Sequence, residues 1–320
     1  MRVIWGLENA RPRRPLCLAM GVFDGVHVGH QAILRAAVAM AAPSGGLPAV
    51  LTFDPHPDTV LSPRGAPPLL TTTGEKLALI RPLGIRLAVV AHFDRTLAQT
   101  TAEEFVRRVL VQRLRARCLI VGDDWRFGAG GEGSIALLRR LGPRFGFSVS
   151  GVPAVRVSRE RVSSTRLRVL IREGRLDVAR ACLGRCYQVS GRVLSGDRRG
   201  RELGFPTANV DPPEGKLMPP DGVYACWAGV RRAWPAVASL GVRPTFGRGS
   251  ARRLEVHLLD SPRGPGMLGR LLRVDFVERL REERRFPSAQ ALMRQMKRDC
   301  GRARRVLALQ GCADVLSCPP

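Results

Sequence analysis

The chain has 320 residues, 45% of them hydrophobic and 25% charged, which excludes wholesale disorder and predicts two domains of ordinary size. The formal net charge is +25, yet it is spread evenly: 27 basic and 14 acidic groups fall in residues 1–183, 25 and 13 in residues 184–320. Only Lys76, Lys216 and Lys297 are lysines, so the basicity is arginine background rather than a basic tail or stripe, and with 5% aromatics there is no stacking platform for RNA. These features predict no nucleic-acid partner.

Eight cysteines without a CxxC pair exclude a disulfide scaffold. Cys17, Cys118 and Cys226 sit in apolar runs, where free thiols act as small hydrophobes; a reducing cytoplasm is expected. Glu8, Arg11, Arg13 and Arg14 occupy the place of a signal peptide's apolar core, and the uncharged run 36–53 is broken by Pro43 and Pro48, so no membrane span is predicted.

In chain order, Leu16–Val22 reads as a strand, Gln31–Ala42 as a helix, Ala49–Phe53 as a strand, about 75–82 as a helix and Arg86–Ala91 as a strand. Thr101-Ala102-Glu103-Glu104 is a capping box, and the helix behind it carries Phe105, Val109, Leu110 and Leu114 on one stripe. Arg117–Val121 and Phe147–Val155 are further strands. Such alternation implies a parallel sheet covered by helices. A helical stretch, Ser164–Leu183, leads to a different rhythm. Short runs at 187–195, 205–210, 222–230, 234–241, 253–260 and 270–278 read as the strands of an antiparallel barrel or sandwich. A last amphipathic helix spans about Ser288 to Leu309, and the tail with Pro319 and Pro320 reads as frayed. The domain boundary is expected at 183/184.

Four stretches of the first half carry chemistry. The strand before Gly21-Val22-Phe23-Asp24-Gly25-Val26-His27-Val28-Gly29-His30 ends in glycines, and a helix starts near His30. Backbone N–H groups and a helix N-terminus then meet at a sheet edge, where phosphates bind, and Gly29 permits close approach. His27 and His30 suit stabilising a transferring phosphoryl group there; a metal pair or two loop histidines are the other readings. In Thr52-Phe53-Asp54-Pro55-His56-Pro57 the prolines hold His56 at the same edge, to bind substrate or shape the loop. In Gly122-Asp123-Asp124 a carboxylate can receive a ribose hydroxyl or close a turn. Ser163-Ser164-Thr165-Arg166-Leu167-Arg168 opens a helix with hydroxyls and an arginine, either a phosphate site or a simple cap.

In the second half, Thr207 and Asn209 follow Pro206 and would face one side of a strand, offering oxygens to Mg²⁺ and phosphates or merely turning into the strand. Glu255 and His257 share the polar face of an alternating strand; Glu255 is either a general base or a solvated carboxylate.

In this order the stretches resemble the bacterial bifunctional riboflavin kinase/FAD synthetase family. GxFDGVHxGHQ, TFxPHP, VGxDxRFG and the late SSTxxR stretch resemble its FAD synthetase module; GRxLGFPTAN, Asp221-Gly222-Val223-Tyr224-Ala225, Leu240–Phe246, Glu255 and Arg281-Glu282 with Phe286 resemble its riboflavin kinase module. The likeness covers about 16–300. It implies an α/β nucleotidyltransferase domain with a Rossmann-like parallel sheet, then a six-stranded antiparallel β-barrel with a C-terminal helix. It implies ATP, riboflavin and FMN as substrates, Mg²⁺ as cofactor, and a cytoplasmic enzyme. On that likeness Gly21, Phe23, Asp24, Gly29, Asp124, Ser164, Thr165 and Arg168 bind ATP or phosphate in the first half, with His27 and His30 on the ATP phosphates. Thr207 and Asn209 hold Mg·ATP, and Glu255 is the base. The chain departs from the family's usual residues at Cys186, at Ser239, where asparagine is usual, and over Ser261–Gly269, which implies altered flavin-side contacts in the kinase half.

Overall fold

The structure is a computed structural model and describes residues 1–63, 65–196, 204–242, 252–260 and 267–310. Gly200–Leu203 of the first barrel motif, Arg243–Phe246, Ser261–Gly266 and the Pro319-Pro320 tail lie outside the described residues.

The first compact unit, Met1–Ser164, is built on a six-stranded parallel sheet. Its strands are β1 (Arg2–Trp5), β2 (Leu16–Met20), β3 (Leu47–Asp54), β4 (Leu87–His92), β5 (Ala116–Gly122) and β6 (Ser148–Val152), in the order β1-β4-β3-β2-β5-β6. Side chains alternate between the two faces of a strand, and both faces of this sheet are buried. Leu16, Leu18 and Met20 of β2 enter one core, with Phe105, Val106 and Leu110; Cys17 and Ala19 enter the other, with Ile33, Leu34 and Ala37. The latter three come from α1 (Val28–Ala41), whose apolar stripe packs on β2, β3 and β5. The edge strand β1 escaped sequence reading because four residues among charged neighbours carry no alternation. The helix Ile135–Phe145 escaped because Pro143 sits inside it. Thr101 caps its helix as expected, accepting the Glu104 N–H at 3.3 Å.

The thiol expectation is corrected at one pair. Register sets Cys17 of β2 opposite Cys118 of β5, with Cα atoms 4.6 Å apart, and the two form a disulfide. Neighbouring strands brought together residues 101 apart in sequence. Cys226 is free and buried as expected, and burial above all pushes its thiol pKa up.

The first unit also holds a short antiparallel pair, β7 (Arg156–Val157) and β8 (Glu160–Arg161); the second unit, Thr165–Pro320, is a closed six-stranded barrel. Its strands are β9 (Tyr187–Leu194), β10 (Ala208–Asp211), β11 (Gly222–Gly229), β12 (Trp234–Val242), β13 (Arg252–Leu258) and β14 (Leu271–Arg281), all paired antiparallel. Inside the barrel Tyr224 and Phe276 meet edge to face at 5.2 Å. Outside, the terminal helix Ala289–Gln310 lays Cys300, Ala303 and Leu307 against Val223, Ala225, Val277 and Leu280. The helix Leu176–Leu183 buries Leu176, Ala179, Cys182 and Leu183 and packs on β9 and β14. Compactness therefore divides the chain at Ser164/Thr165, ahead of the boundary drawn from the change in strand rhythm. A fragment beginning at Thr165 is expected to unfold at clearly higher urea concentration than one beginning at Gly184, because the shorter fragment uncovers that apolar face; equal midpoints would contradict this.

Candidate active sites

In the parallel sheet the chain leaves β2 toward β3 on one side and reaches β5 on the other. The crevice beyond the carboxyl ends of β2 and β5 is thus a topological switch point, where open α/β sheets bind ligands. A cavity of about 320 Å³ opens there. Met20, Gly21 and Phe23 form one wall; Gly122, Asp124 and Trp125 form another; His27, Gly29 and His30 form the floor; Arg161, Val162 and Ser164 border it. The sequence-predicted Gly21, Phe23, His27, Gly29, His30, Asp124 and Ser164 come together in this one place.

His27 caps α1, its Nδ1 accepting the His30 N–H at 3.2 Å. The two imidazoles stack with centroids 3.6 Å apart, and Phe23, buried with φ 54°, meets His30 edge-on at 5.2 Å. His30 Nδ1 is buried without a hydrogen-bond partner among the described residues. Burial, then His27, then Lys76 hold the His30 pKa well below the ordinary imidazole value. A neutral histidine beside a helix N-terminus leaves room for the charge of an arriving phosphate.

Not every expected residue faces the cavity. The Asp24 carboxylate turns into the protein, accepting from the N–H groups of Leu70 and Thr71 and from the Thr71 hydroxyl. Its carbonyl accepts the Ser164 hydroxyl at 2.9 Å, which ties the Ser164 loop to the glycine turn. His56 Nδ1 accepts the Asp58 N–H at 3.2 Å and shapes its loop. Thr165 and Arg168 belong to the second unit, where Arg168 is buried in a helix. Asp124 pairs with Arg161 at 2.5 Å; both are exposed, so the pair orients the two walls rather than stabilising them.

Sequence reading missed Lys76. Its buried ammonium donates to Val22 O (3.1 Å), Thr52 Oγ1 (2.9 Å) and Phe53 O (3.1 Å), clamping the ends of β2 and β3 behind the glycine turn. Being one of three lysines in an arginine-rich chain was the available signal. Burial lowers its pKa from 10.5 to about 8, partly offset by Asp24 and Asp54. Between those pH values the unfolded chain binds more protons, so stability rises with pH across that window. Lys76→Met is expected to abolish this rise, read as the urea midpoint of the first unit's transition from pH 8 to 10.5. An unchanged slope would show that the ammonium is not the titrating group.

The second site lies on the outer face of the barrel. Ala208 and Val210 are buried inward, so Asn209, and Thr207 before it, face out. Register then sets one row across four strands: Leu194 opposite Asn209, Asn209 opposite Glu255, Glu255 opposite Ser239. Cross-strand neighbours in such a row have Cβ atoms about 5 Å apart. Pairing alone thus brings Asn209 and Glu255 together, and Thr207 precedes Asn209 by two residues on the same side. His257 Nδ1 lies 2.8 Å from Pro206 O, and since a carbonyl only accepts, Nδ1 carries the proton. This bond anchors the turn that presents Thr207. A cavity of about 450 Å³ adjoins the row, lined by Leu194, Gly196, Asn209 and Arg252 among others. Gly196 admits the Asn209 amide so closely that a Cβ there would lie 1.8 Å from its Nδ2.

Among the described residues no three His, Cys, Asp or Glu side chains converge as a metal cage. Asn209 supplies a neutral oxygen opposite the Glu255 carboxylate, and Thr207 offers a second two residues earlier. That set fits a hard divalent cation that takes its remaining ligands from phosphates and water.

Comparison with known proteins agrees with this division. The FAD synthetase family model matches residues 10–166 and the riboflavin kinase family model residues 183–307. The bifunctional riboflavin kinase/FMN adenylyltransferase of Escherichia coli K12 is 38% identical over 304 residues, spanning 93% of this chain and 96% of that protein. The protein of the same name from Pseudomonas fluorescens is 38% identical over 310 residues, 96% and 98% of the two chains. A solved structure titled as a macrolide-efflux protein of Streptococcus pneumoniae superposes with a TM-score of 0.84 at 28% identity, over 94% of this chain and 98% of that one. Among the described residues of this chain, no helix is long and apolar enough to cross a membrane. With both domain models matched in order and relatives aligned along nearly its whole length, the chain belongs to the bifunctional riboflavin kinase/FMN adenylyltransferase family.

Proposed function

We infer that this bifunctional riboflavin kinase and FMN adenylyltransferase makes FMN on the outer face of its barrel and FAD at the switch point of its parallel sheet. The observation that carries the reading is the barrel row, in which strand register sets the Glu255 carboxylate opposite Asn209, with Thr207 two residues earlier in the same Pro-Thr-Ala-Asn stretch. In the kinase half the Glu255 carboxylate takes the proton of the terminal ribityl hydroxyl while that oxygen attacks the γ-phosphorus of ATP, and ADP leaves with the bridging oxygen. Thr207 and Asn209 would hold a divalent cation, which we take to be Mg²⁺; when bound it neutralises phosphate charge. In the adenylyltransferase half an FMN phosphate oxygen attacks the α-phosphorus of ATP and pyrophosphate leaves, with no covalent enzyme intermediate. His27, His30 and the α1 N-terminus receive the charge that develops on the phosphates. Asp124 takes the ribose, and Ser164 and Gly29 border the phosphates. Asp24 acts behind this surface, pinning the loop at Thr71, while Phe23 lines the cavity and backs the His30 ring. Thr165 and Arg168 follow Ser164 as the phosphate-binding helix start, and the catalytic halves divide at 183/184.

The partners in this reading are ATP, riboflavin and FMN, without nucleic acid or membrane, in the cytoplasm. The Cys17–Cys118 bond is buried, which slows attack on it by solvent thiols. The test is direct: pure protein with riboflavin, ATP and Mg²⁺ is expected to yield FMN and then FAD, resolved by chromatography. Chelation with EDTA should stop both products and added Mg²⁺ restore them. Failure to convert riboflavin to FMN would overturn the kinase half, and failure to convert FMN to FAD the other.

A further inference from the structure

The barrel row does not end at Glu255. Its neighbour Ser239 on β12 donates its hydroxyl to Glu283 Oε1 at 3.1 Å. Glu283 follows β14 and reaches back over β12, and its second oxygen rests on Gly241, where a Cβ would lie 1.9 Å away. Ser239 and Gly241 alternate on the same face of β12, so this glycine is the seat on which the carboxylate lies. Two carboxylates, Glu255 and Glu283, thus flank one serine hydroxyl on the outer barrel face, and Glu283 is itself exposed.

A carboxylate only accepts hydrogen bonds, and a serine hydroxyl already donating to one can only accept more. What binds at this end of the row must therefore bring donors. ATP phosphates bring acceptors and negative charge, and are repelled. The hydroxyls of a polyol fit. The row is polar along its length: the neutral amide of Asn209 beside Leu194 suits the nucleotide, and the Glu255–Ser239–Glu283 end suits the hydroxylated acceptor.

We propose that Glu283, seated by Ser239 and Gly241, binds the riboflavin hydroxyl adjacent to the one that is phosphorylated and so fixes which hydroxyl reaches Glu255. This rests on the reading of Glu255 as the base. Glu283 moves no proton; it sets acceptor affinity and regiochemistry.

The test uses the full-length enzyme. Glu283→Ala is expected to raise the KM for riboflavin about tenfold, the worth of one hydrogen bond to a charged group, while kcat and the KM for ATP stay within about threefold. Gly241→Ala, whose new methyl displaces only the flexible end of Glu283, should reproduce that loss, and the double variant should lose no more than either single one. A riboflavin analogue lacking the adjacent hydroxyl should be a poor substrate for the wild type, yet be used as well as riboflavin by Glu283→Ala. The proposal falls if the two substitutions add, if the KM for ATP moves instead, or if Glu283→Ala still discriminates against the analogue. Glu255→Gln run alongside separates the readings. Full activity in Glu255→Gln would overturn the base assignment and this proposal with it; inactivity there with unchanged riboflavin KM in Glu283→Ala would overturn the proposal alone.

Discussion

His30→Ala lowers FAD formation from supplied FMN by a factor of about 10² or more, the usual loss when one preorganised stabiliser of developing charge is removed. FMN formation from riboflavin stays within about twofold, because Glu255 and Asn209 lie in the other compact unit. The size of the effect follows from how His30 is held. Its main-chain N–H is bonded to His27, its ring is stacked on the His27 ring and backed by Phe23, and its Nδ1 is buried without a hydrogen-bond partner among the described residues. Little reorganisation is then needed when a phosphate arrives. Steady-state assays of the two half-reactions on the same preparation check this. Equal loss of both activities would mean the substitution harmed the fold, and an unchanged FAD rate would return His30 to a packing role.

Glu255→Gln lowers FMN formation by about 10²–10⁴, the range of a general-base contribution. The substitution keeps the shape of the side chain and its place opposite Asn209 and Ser239 but removes proton acceptance. ATP binding persists, and FAD formation from FMN continues. Wild-type phosphorylation of riboflavin by Glu255→Gln would end the assignment. A loss below about tenfold would fit orientation of the hydroxyl rather than proton transfer, and a rise in the ATP KM alone would move Glu255 to the nucleotide.

Both sites were legible in part because their motifs sit where local structure changes. The strand before Gly21 and the helix after His27 announce an anion site through glycines and a cap that belong to one short stretch. Period-two alternation set Glu255 on a polar face before any partner strand was known. Asp24 shows the limit of such reading. Its carboxylate lies in the most informative motif, yet it is spent on the backbone of Leu70 and Thr71, and nothing near it in sequence signals that. Arg168 is similar: a helix start with hydroxyls reads as a phosphate site or a simple cap, while burial of the arginine depends on what packs around its helix.

The sequence by itself determined the element types, the change from parallel α/β to antiparallel β, and the residue types that can do the chemistry, because these rest on periods of two and 3.6 and on caps and glycines within a few residues. Only the tertiary structure decided which residues meet. Pairing of β2 with β5 joined Cys17 to Cys118 and made the crevice a switch point. Pairing of β10, β13 and β12 aligned Asn209, Glu255 and Ser239 in one row. A buried lysine found its three acceptors across two strand ends, and a carboxylate after β14 found its seat on a glycine of β12. Strand register between distant segments is fixed by which faces bury together, and a one-residue slip would turn Cys17, Asn209, Glu255 and Ser239 to the other face, so no local pattern could have named their partners.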